Sequence, residues 1–229
     1  MKSIEALPAE LIAGHLIVRL GEARLLLDTG SPVSITSGRA IVIGGHPVQS
    51  EAVHPGASIA DLRQLTGVVI DALIGMDVLS RFDIAFKLRR AIVKLREPGL
   101  PGSKGRSMPI EIVDSIPIVS LSIDGRTRRL FFDTGALVSY LIGPSLADRP
   151  SVGRVPDFYP GFGPFETDQY EIPVDLANQT RGLRFGRLPE ALESGVRALG
   201  VDGILGTEIL MLANVTLSVT SREVQIRWH

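Results

Sequence analysis

A ten-residue segment near the start of the chain recurs, altered, near its middle. LLLDTGSPVS (Leu25–Ser34) aligns with LFFDTGALVS (Leu130–Ser139) at an offset of 105 residues, from 28 to 133. Further on, DALIGMDVL (Asp71–Leu79) aligns with DGILGTEIL (Asp202–Leu210) at an offset of 131, from 71 to 202, and the apolar pattern stays in step as far as Leu95 and Ile226. The chain therefore builds one supersecondary unit twice, and any fold must place two copies of an Asp-Thr-Gly loop in equivalent positions. The middle of the second copy is longer by the difference of the offsets, 26 residues.

Around the repeats, Val, Ile and Leu come in short runs punctuated by Gly, Pro and Asp, which reads as a mainly β chain. Leu16–Leu20, Arg24–Leu27, Ala40–Ile43, Asp83–Phe86 and Ala91–Leu95 are the expected strands of the first half. Ile116–Ile123, Arg129–Phe132, Glu171–Leu176, Val215–Val219 and Glu223–Arg227 are those of the second. Asp124–Gly125 between apolar runs signals a hairpin turn. Two helices are expected, Ile59–Leu65 with Ser58 as N-cap and Glu190–Leu199 after Pro189. The stretch EPGLPGSKGRS marks a linker at 97–107, between an N-terminal unit at 1–96 and a C-terminal unit at 108–229.

A single Asp-Thr-Gly carries little weight, because Asp and Gly are common in solvated turns. Two copies, each after an apolar triplet and each followed by a small residue (Ser31, Ala136) and then a serine (Ser34, Ser139), point to chemistry. Pseudo-symmetric units brought together about a two-fold axis set equivalent loops face to face. Asp28 and Asp133 would then share one proton, since neighbouring carboxylates resist ionising together. One acts as general base on a water and the other as general acid on a carbonyl. Gly30 and Gly135 permit close backbone approach and donate to the carboxylates. Thr29 and Thr134 are expected to bond across the interface, and Ser31 to hold the outer oxygen of Asp28, a role that Ala136 lacks the hydroxyl to play for Asp133.

LLLDTGSPVSIT and LFFDTGALVSYL, each followed by an apolar-apolar-Gly signature (Leu73–Ile74–Gly75; Ile204–Leu205–Gly206), resemble the aspartic peptidase clan that contains retropepsins and pepsins. The stretch DLRQLTGVVIDALIGMDVLSRFDIAFKLRRAIVKL is similar to bacterial aspartyl-protease-family sequences. The resemblance covers nearly the whole chain apart from residues 1–12 and the linker. It implies a bilobal acid-protease fold of two pseudo-symmetric β-barrel-like lobes with short helices. It also implies a peptide or protein substrate in the cleft between the lobes, an activated water, no covalent intermediate and no cofactor. With both loops in one polypeptide, the site is expected to be complete in a monomer.

Such peptidases close a glycine-bearing hairpin over the substrate. IVIGGHPV, with Gly44 and Gly45 at its tip, is the candidate in the first half; FYPGFGPFETDQY, with Gly161 and Gly163, is the candidate in the second, where a plain turn is the competing reading. Asp28 and Gly75 are only 47 positions apart (28 to 75), which leaves little room for a full flap. The first half supplies no flap tyrosine, and Tyr159 or Tyr170 would have to substitute from the other.

Composition removes other chemistries. The chain has no cysteine, which excludes disulfides and thiol nucleophiles. Lys+Arg 24 against Asp+Glu 25 gives no nucleic-acid surface, and the basic run Lys87–Leu88–Arg89–Arg90 reads as a solvated turn. His15, His46, His54 and His229 show no metal-ligand spacing, so no metal is expected, and His46 beside the glycine pair is a candidate for the cleft or for a surface turn. Ser34 and Ser139 lack a nucleophile elbow. Asp71 and Asp202 are expected to brace a turn, and Asp77, Glu208, Asp83 and Asn214 to serve the surface or a turn. No run is long enough to span a membrane, and the N-terminal segment, with Glu5 and Glu10 and no long apolar run, does not read as a signal peptide, so a cytoplasmic location is the expectation. The leading expectation is an aspartic endopeptidase. Its rivals are an inactive peptide-binding or structural module of the same fold, and a hydrolase acting on something other than an ordinary peptide.

Overall fold

Leu25–Leu27 and Leu130–Phe132 are apolar at consecutive positions, so a strand through either must be covered on both faces. The computed structural model, which describes residues 3–49, 57–99, 105–143, 146 and 148–229, shows how this is met. The architecture is mainly β. The first half runs β1 (Ser3–Ile12), β2 (His15–Leu20), β3 (Ala23–Leu27), β4 (Ile35–Thr36), β5 (Val42–Ile43), β6 (His46–Pro47), α1 (Ile59–Thr66), β7 (Ala72–Ile74), α2 (Met76–Leu79), β8 (Asp83–Lys87) and β9 (Ile92–Arg96). The second half repeats this order. It runs β10 (Arg106–Val113), β11 (Ile116–Ile123), β12 (Arg126–Phe132), β13 (Ser139–Leu141), then β14 (Gly153–Tyr159), β15 (Gly163–Leu176) and β16 (Gln179–Gly186). It closes with α3 (Glu190–Ala198), β17 (Gly203–Leu205), α4 (Glu208–Leu212), β18 (Ala213–Ser218) and β19 (Glu223–Trp228).

In each half the chain crosses itself the same way. β7 runs parallel to β3, Leu26 opposite Leu73, and antiparallel to β4, Ile35 opposite Leu73. Likewise β17 runs parallel to β12, Phe131 opposite Ile204, and antiparallel to β13, Tyr140 opposite Ile204. Leu25 and Leu27 join the main core, together with Leu130 and Phe132 of the other half. Leu26 faces a satellite core with Ile17, Ile59, Leu62 and Leu73 beneath α1; Phe131 faces its counterpart with Ile118, Val138 and Ile204. The triplets thus serve two layers at once.

The halves meet in one six-stranded antiparallel sheet, in the order β1-β9-β8-β18-β19-β10. Its central pairing is reciprocal: Phe86 faces Val215, Ile84 faces Leu217, and Ala85 faces Thr216. Under the 131-residue offset Ala85 corresponds to Thr216, and Ile84 and Phe86 to Val215 and Leu217. A pseudo-two-fold axis therefore passes between Ala85 and Thr216, as in an isologous dimer interface.

Every expected strand overlaps an observed one, although only Val42–Ile43 of Ala40–Ile43 is strand and Ala91 and Val219 fall just outside β9 and β18, and both expected helices form. Ser58 caps α1 in a capping box with Asp61, and Gly67 ends the helix in the left-handed region at φ 66°. β1, β4, β7, β10, β13, β16 and β17 are not among the expected strands, and β10 begins at Arg106, inside the expected linker, where it pairs with Ile226. Linker residues 100–104, and His54, lie outside the described residues. No described helix is long and apolar enough to cross a membrane.

Candidate active site

The two Asp-Thr-Gly loops face each other across the axis. The Thr29 N–H donates to Thr134 Oγ1 at 3.1 Å, and the Thr134 N–H donates to Thr29 Oγ1 at 3.0 Å. Each hydroxyl then donates into the other half: Thr29 Oγ1 to the Phe132 carbonyl at 2.5 Å, and Thr134 Oγ1 to the Leu27 carbonyl at 2.7 Å. Both threonines are fully buried, so every donor and acceptor in this lattice depends on its mate.

The lattice presses the glycines against the opposing carboxyls. A β-carbon at Gly30 would overlap the Asp133 carboxyl, and one at Gly135 would overlap that of Asp28. Only hydrogen in place of a side chain fits there. The Gly30 N–H donates to Asp28 Oδ1 at 2.9 Å, and the Gly135 N–H to Asp133 Oδ1 at 2.8 Å. From behind, the Ile74 carbonyl accepts from the Asp28 N–H and the Leu205 carbonyl from the Asp133 N–H, each at 3.0 Å.

The apolar-apolar-Gly signature supports the loop. A β-carbon at Gly75 would strike the Val33 carbonyl, and one at Gly206 the Ala136 and Val138 carbonyls. The repeated serines also belong here. The Gly75 N–H donates to Ser34 Oγ at 2.9 Å and the Gly206 N–H to Ser139 Oγ at 3.0 Å. Asp71 and Asp202 brace the strand leading to each Asp-Thr-Gly loop by accepting from the N–H of Arg24 and of Arg129.

Ser31 departs from expectation. Its hydroxyl donates to the Val33 carbonyl at 2.7 Å, a neighbour within easier local reach than the carboxylate. Its support for Asp28 comes from its backbone N–H. Ala136 supports Asp133 in the same way, its N–H donating to Oδ1 at 3.1 Å, so the missing hydroxyl costs the second loop nothing.

Burial raises the pKa of both aspartates. Asp28 lies well above the ordinary carboxylate range, pushed first by desolvation and then by the charge of Asp133, with the amides of Gly30 and Ser31 opposing. Asp133 is also raised by desolvation, against the amides of Gly135 and Ala136 and a hydrogen bond from Asp28. The pair thus holds a shared proton to higher pH than either carboxyl would alone, and titrates as a unit.

A cavity of about 360 Å³ opens over the pair. Its walls are largely apolar, with Leu26, Ile35, Leu62 and Leu73 from the first half and Phe165, Leu188 and Ile204 from the second. The β14–β15 hairpin reaches over it, and Phe158, Tyr159 and Pro160 line it beside the dyad. Burial, then the charges of Asp133 and Asp28, raise the Tyr159 pKa. Gly161 and Gly163 sit at the turn of this hairpin, with φ of 80° and 101°. The first-half candidates go elsewhere. Gly44 and Gly45 form the β5–β6 turn, tied by the Gly44 N–H to Glu5, and neither lines the cavity. His46 stands edge-on to Phe82 at 5.6 Å, and Tyr170 lies under the Arg187 guanidinium.

Three polar residues of the cavity wall had no assigned role in the sequence reading. The Tyr140 hydroxyl donates to Asp157 Oδ2, the Phe158 N–H donates to Asp157 Oδ1 at 2.8 Å, and His15 stacks at a tilt on Phe158 with centroids 5.8 Å apart. Burial raises the Asp157 carboxyl, opposed by Tyr140, Phe158 and the nearby His15. Burial lowers the His15 imidazole, opposed by the Gly135 carbonyl and the Asp157 charge. The one available signal was position: Tyr140 lies one residue beyond Ser139, and Asp157 enters the glycine-bearing hairpin.

No protein-family model and no curated protein matches this chain.

Proposed function

We propose that the chain is a single-chain aspartic endopeptidase with a bilobal pepsin-like fold, one lobe at 1–96 and the other at 108–229. The observation that carries this reading is the reciprocal threonine lattice, which sets two buried carboxyls face to face beneath an apolar cavity and leaves them one proton to share. One carboxylate of the pair, ionised, takes a proton from a water whose oxygen adds to the peptide carbonyl carbon. Its partner delivers the shared proton to the carbonyl oxygen. The tetrahedral intermediate collapses as the nitrogen leaves protonated, and the dyad returns to its singly protonated state. No covalent enzyme intermediate forms. The substrate is an extended peptide with apolar side chains on both sides of the scissile bond, fitting the aliphatic walls on either side of the dyad. The β14–β15 hairpin, with Tyr159 near its tip, acts as the flap. Both halves of the site come from one chain, so the monomer is sufficient.

The test is cleavage of a diverse peptide mixture from acid to neutral pH, mapped by mass spectrometry, with Asp28→Asn and Asp133→Asn alongside. The expected loss in either variant is at least about 10³-fold. The shared proton sets the pH profile: activity rises as the pair loses its first proton and falls as it loses the second. Cleavage that survives either substitution would refute the dyad. A folded protein that binds peptides and cuts none would be the inactive module.

A further inference from the structure

The cavity is built from equivalent positions of a duplicated unit, and the two copies fill them differently. In β2 and β11 the strand registers set Ile17 opposite Leu26 and Ile118 opposite Phe131, which makes His15 the counterpart of Ile116. Tyr140 is the counterpart of Ile35 under the 105-residue offset. All four line the cavity. Each copy thus presents an isoleucine at one of the two positions and a polar ring at the other, an imidazole in the first and a phenol in the second, and both rings interact with Asp157.

The imidazole is incompletely satisfied. His15 is 4% exposed, and its Nδ1 has no hydrogen-bond partner among the described residues. Its other nitrogen is committed to the Gly135 carbonyl, whose own N–H holds Asp133. With that N–H donated, the neutral ring presents Nδ1 as a bare acceptor. The oxygens of Asp157 accept from Tyr140 and Phe158, and Asp157 acts on the ring through its charge without a hydrogen bond to Nδ1. A buried acceptor without a donor is costly to a folded protein and cheap to retain only where a ligand completes it.

We propose that His15 is a specificity-determining residue of the cleft, its Nδ1 accepting a hydrogen bond from a hydroxyl or carboxamide side chain of the bound peptide. This rests on the peptidase reading above and adds a polar subsite to an otherwise aliphatic cleft. Phe158 rides on the hairpin, so the nitrogen becomes reachable as the hairpin adjusts around a peptide. The subsite discriminates against isosteric hydrocarbon, because a valine in place of threonine leaves Nδ1 buried and unpaired.

The experiment uses a peptide library in which threonine or valine occupies each position in turn within a Leu- and Phe-rich background. Cleavage rates are taken for the parent, His15→Phe and His15→Asn, and binding of the same peptides is measured on Asp28→Asn. The Thr-to-Val ratio within one protein cancels any general loss of activity. The expected result is one position at which the parent favours threonine by about tenfold or more. His15→Phe brings the ratio there to about one, and His15→Asn, which keeps an acceptor close to the place of Nδ1, retains part of it. If His15→Phe does not fold, the ¹⁵N resonance of Nδ1 in the parent decides: it moves on adding the threonine peptide and not the valine peptide. A ratio near one at every position, or a preference unchanged in His15→Phe, overturns the subsite while leaving the peptidase intact. A folded parent that neither cuts nor binds any peptide overturns the peptidase reading and the subsite with it.

Discussion

The two halves agree most closely where they touch each other and differ most where they face the cavity. At the axis the correspondence is nearly residue for residue: Thr29 and Thr134 trade bonds, Gly30 and Gly135 admit the opposing carboxyls, and Ser34 and Ser139 accept from Gly75 and Gly206. Above the dyad the agreement ends. The first half spans its middle with the small β5–β6 hairpin and α1, while the second inserts β14, β15 and β16 and sends a hairpin over the cavity. His15 stands where the other copy has Ile116, and Tyr140 where it has Ile35. Symmetry is held around the two facing carboxyls and released along the walls of the cavity above them.

The sharpest way to break this comparison is to place a methyl group on one side of the axis. Gly30→Ala drives a β-carbon into Asp133, and Gly135→Ala drives one into Asp28. Both should lower kcat by about 10²-fold or more, since displacement of a reacting group by about an ångström suffices for that. Equal losses would support a symmetric base; a tolerant Gly135→Ala beside a dead Gly30→Ala would show that one loop alone is tightly held.

Next in size is the threonine lattice. Thr29→Val and Thr134→Val each remove one hydroxyl and strand a buried amide and a buried carbonyl. Each should cost about 2–4 kcal/mol in urea denaturation. The double variant should cost less than the sum, because the two hydroxyls belong to one network. Full additivity would mean that the bonds act independently.

The smallest effect concerns the buried pair. A carboxyl whose folded pKa is raised stabilises the fold at pH below the unfolded value, and that contribution is lost as pH rises through the folded value. Asp28 and Asp133 both shift this way, so the parent should melt at lower temperature near neutrality than in mild acid. Asp28→Asn should flatten that slope and raise Tm near neutrality by a few degrees. An unchanged slope would locate the pH dependence elsewhere.

The symmetric part of the molecule was the part legible in the sequence. The doubled loop, the apolar triplets and the glycine signatures gave the dyad, the lattice and the strands beneath them, because each is a local pattern repeated. β1 escaped notice because Pro8 and alternating Glu5, Leu7, Ala9 and Glu10 blur an apolar run into a half-buried strand. Ser31 was misassigned because a carbonyl two residues on outcompetes a charge across a loop. Gly44 and Gly45 carried a flap-like signature for an ordinary reason: a tight hairpin needs positive φ at both, here 55° and 84°. His15 was unreadable because its partners, Gly135, Asp157 and Phe158, come from the other half of the chain.

The self-paired position at Ala85 and Thr216 has a consequence for how this protein could be taken apart. The sheet across the axis is made by main-chain bonds between β8 and β18, each an interior strand of its own half's hairpin with β9 or β19. The covalent tie between the halves is not a member of that pairing. It acts chiefly as a tether, raising the local concentration of one half around the other. Two separately made fragments would then face a bimolecular search for the same register, and the amount of joined sheet would rise with the product of their concentrations.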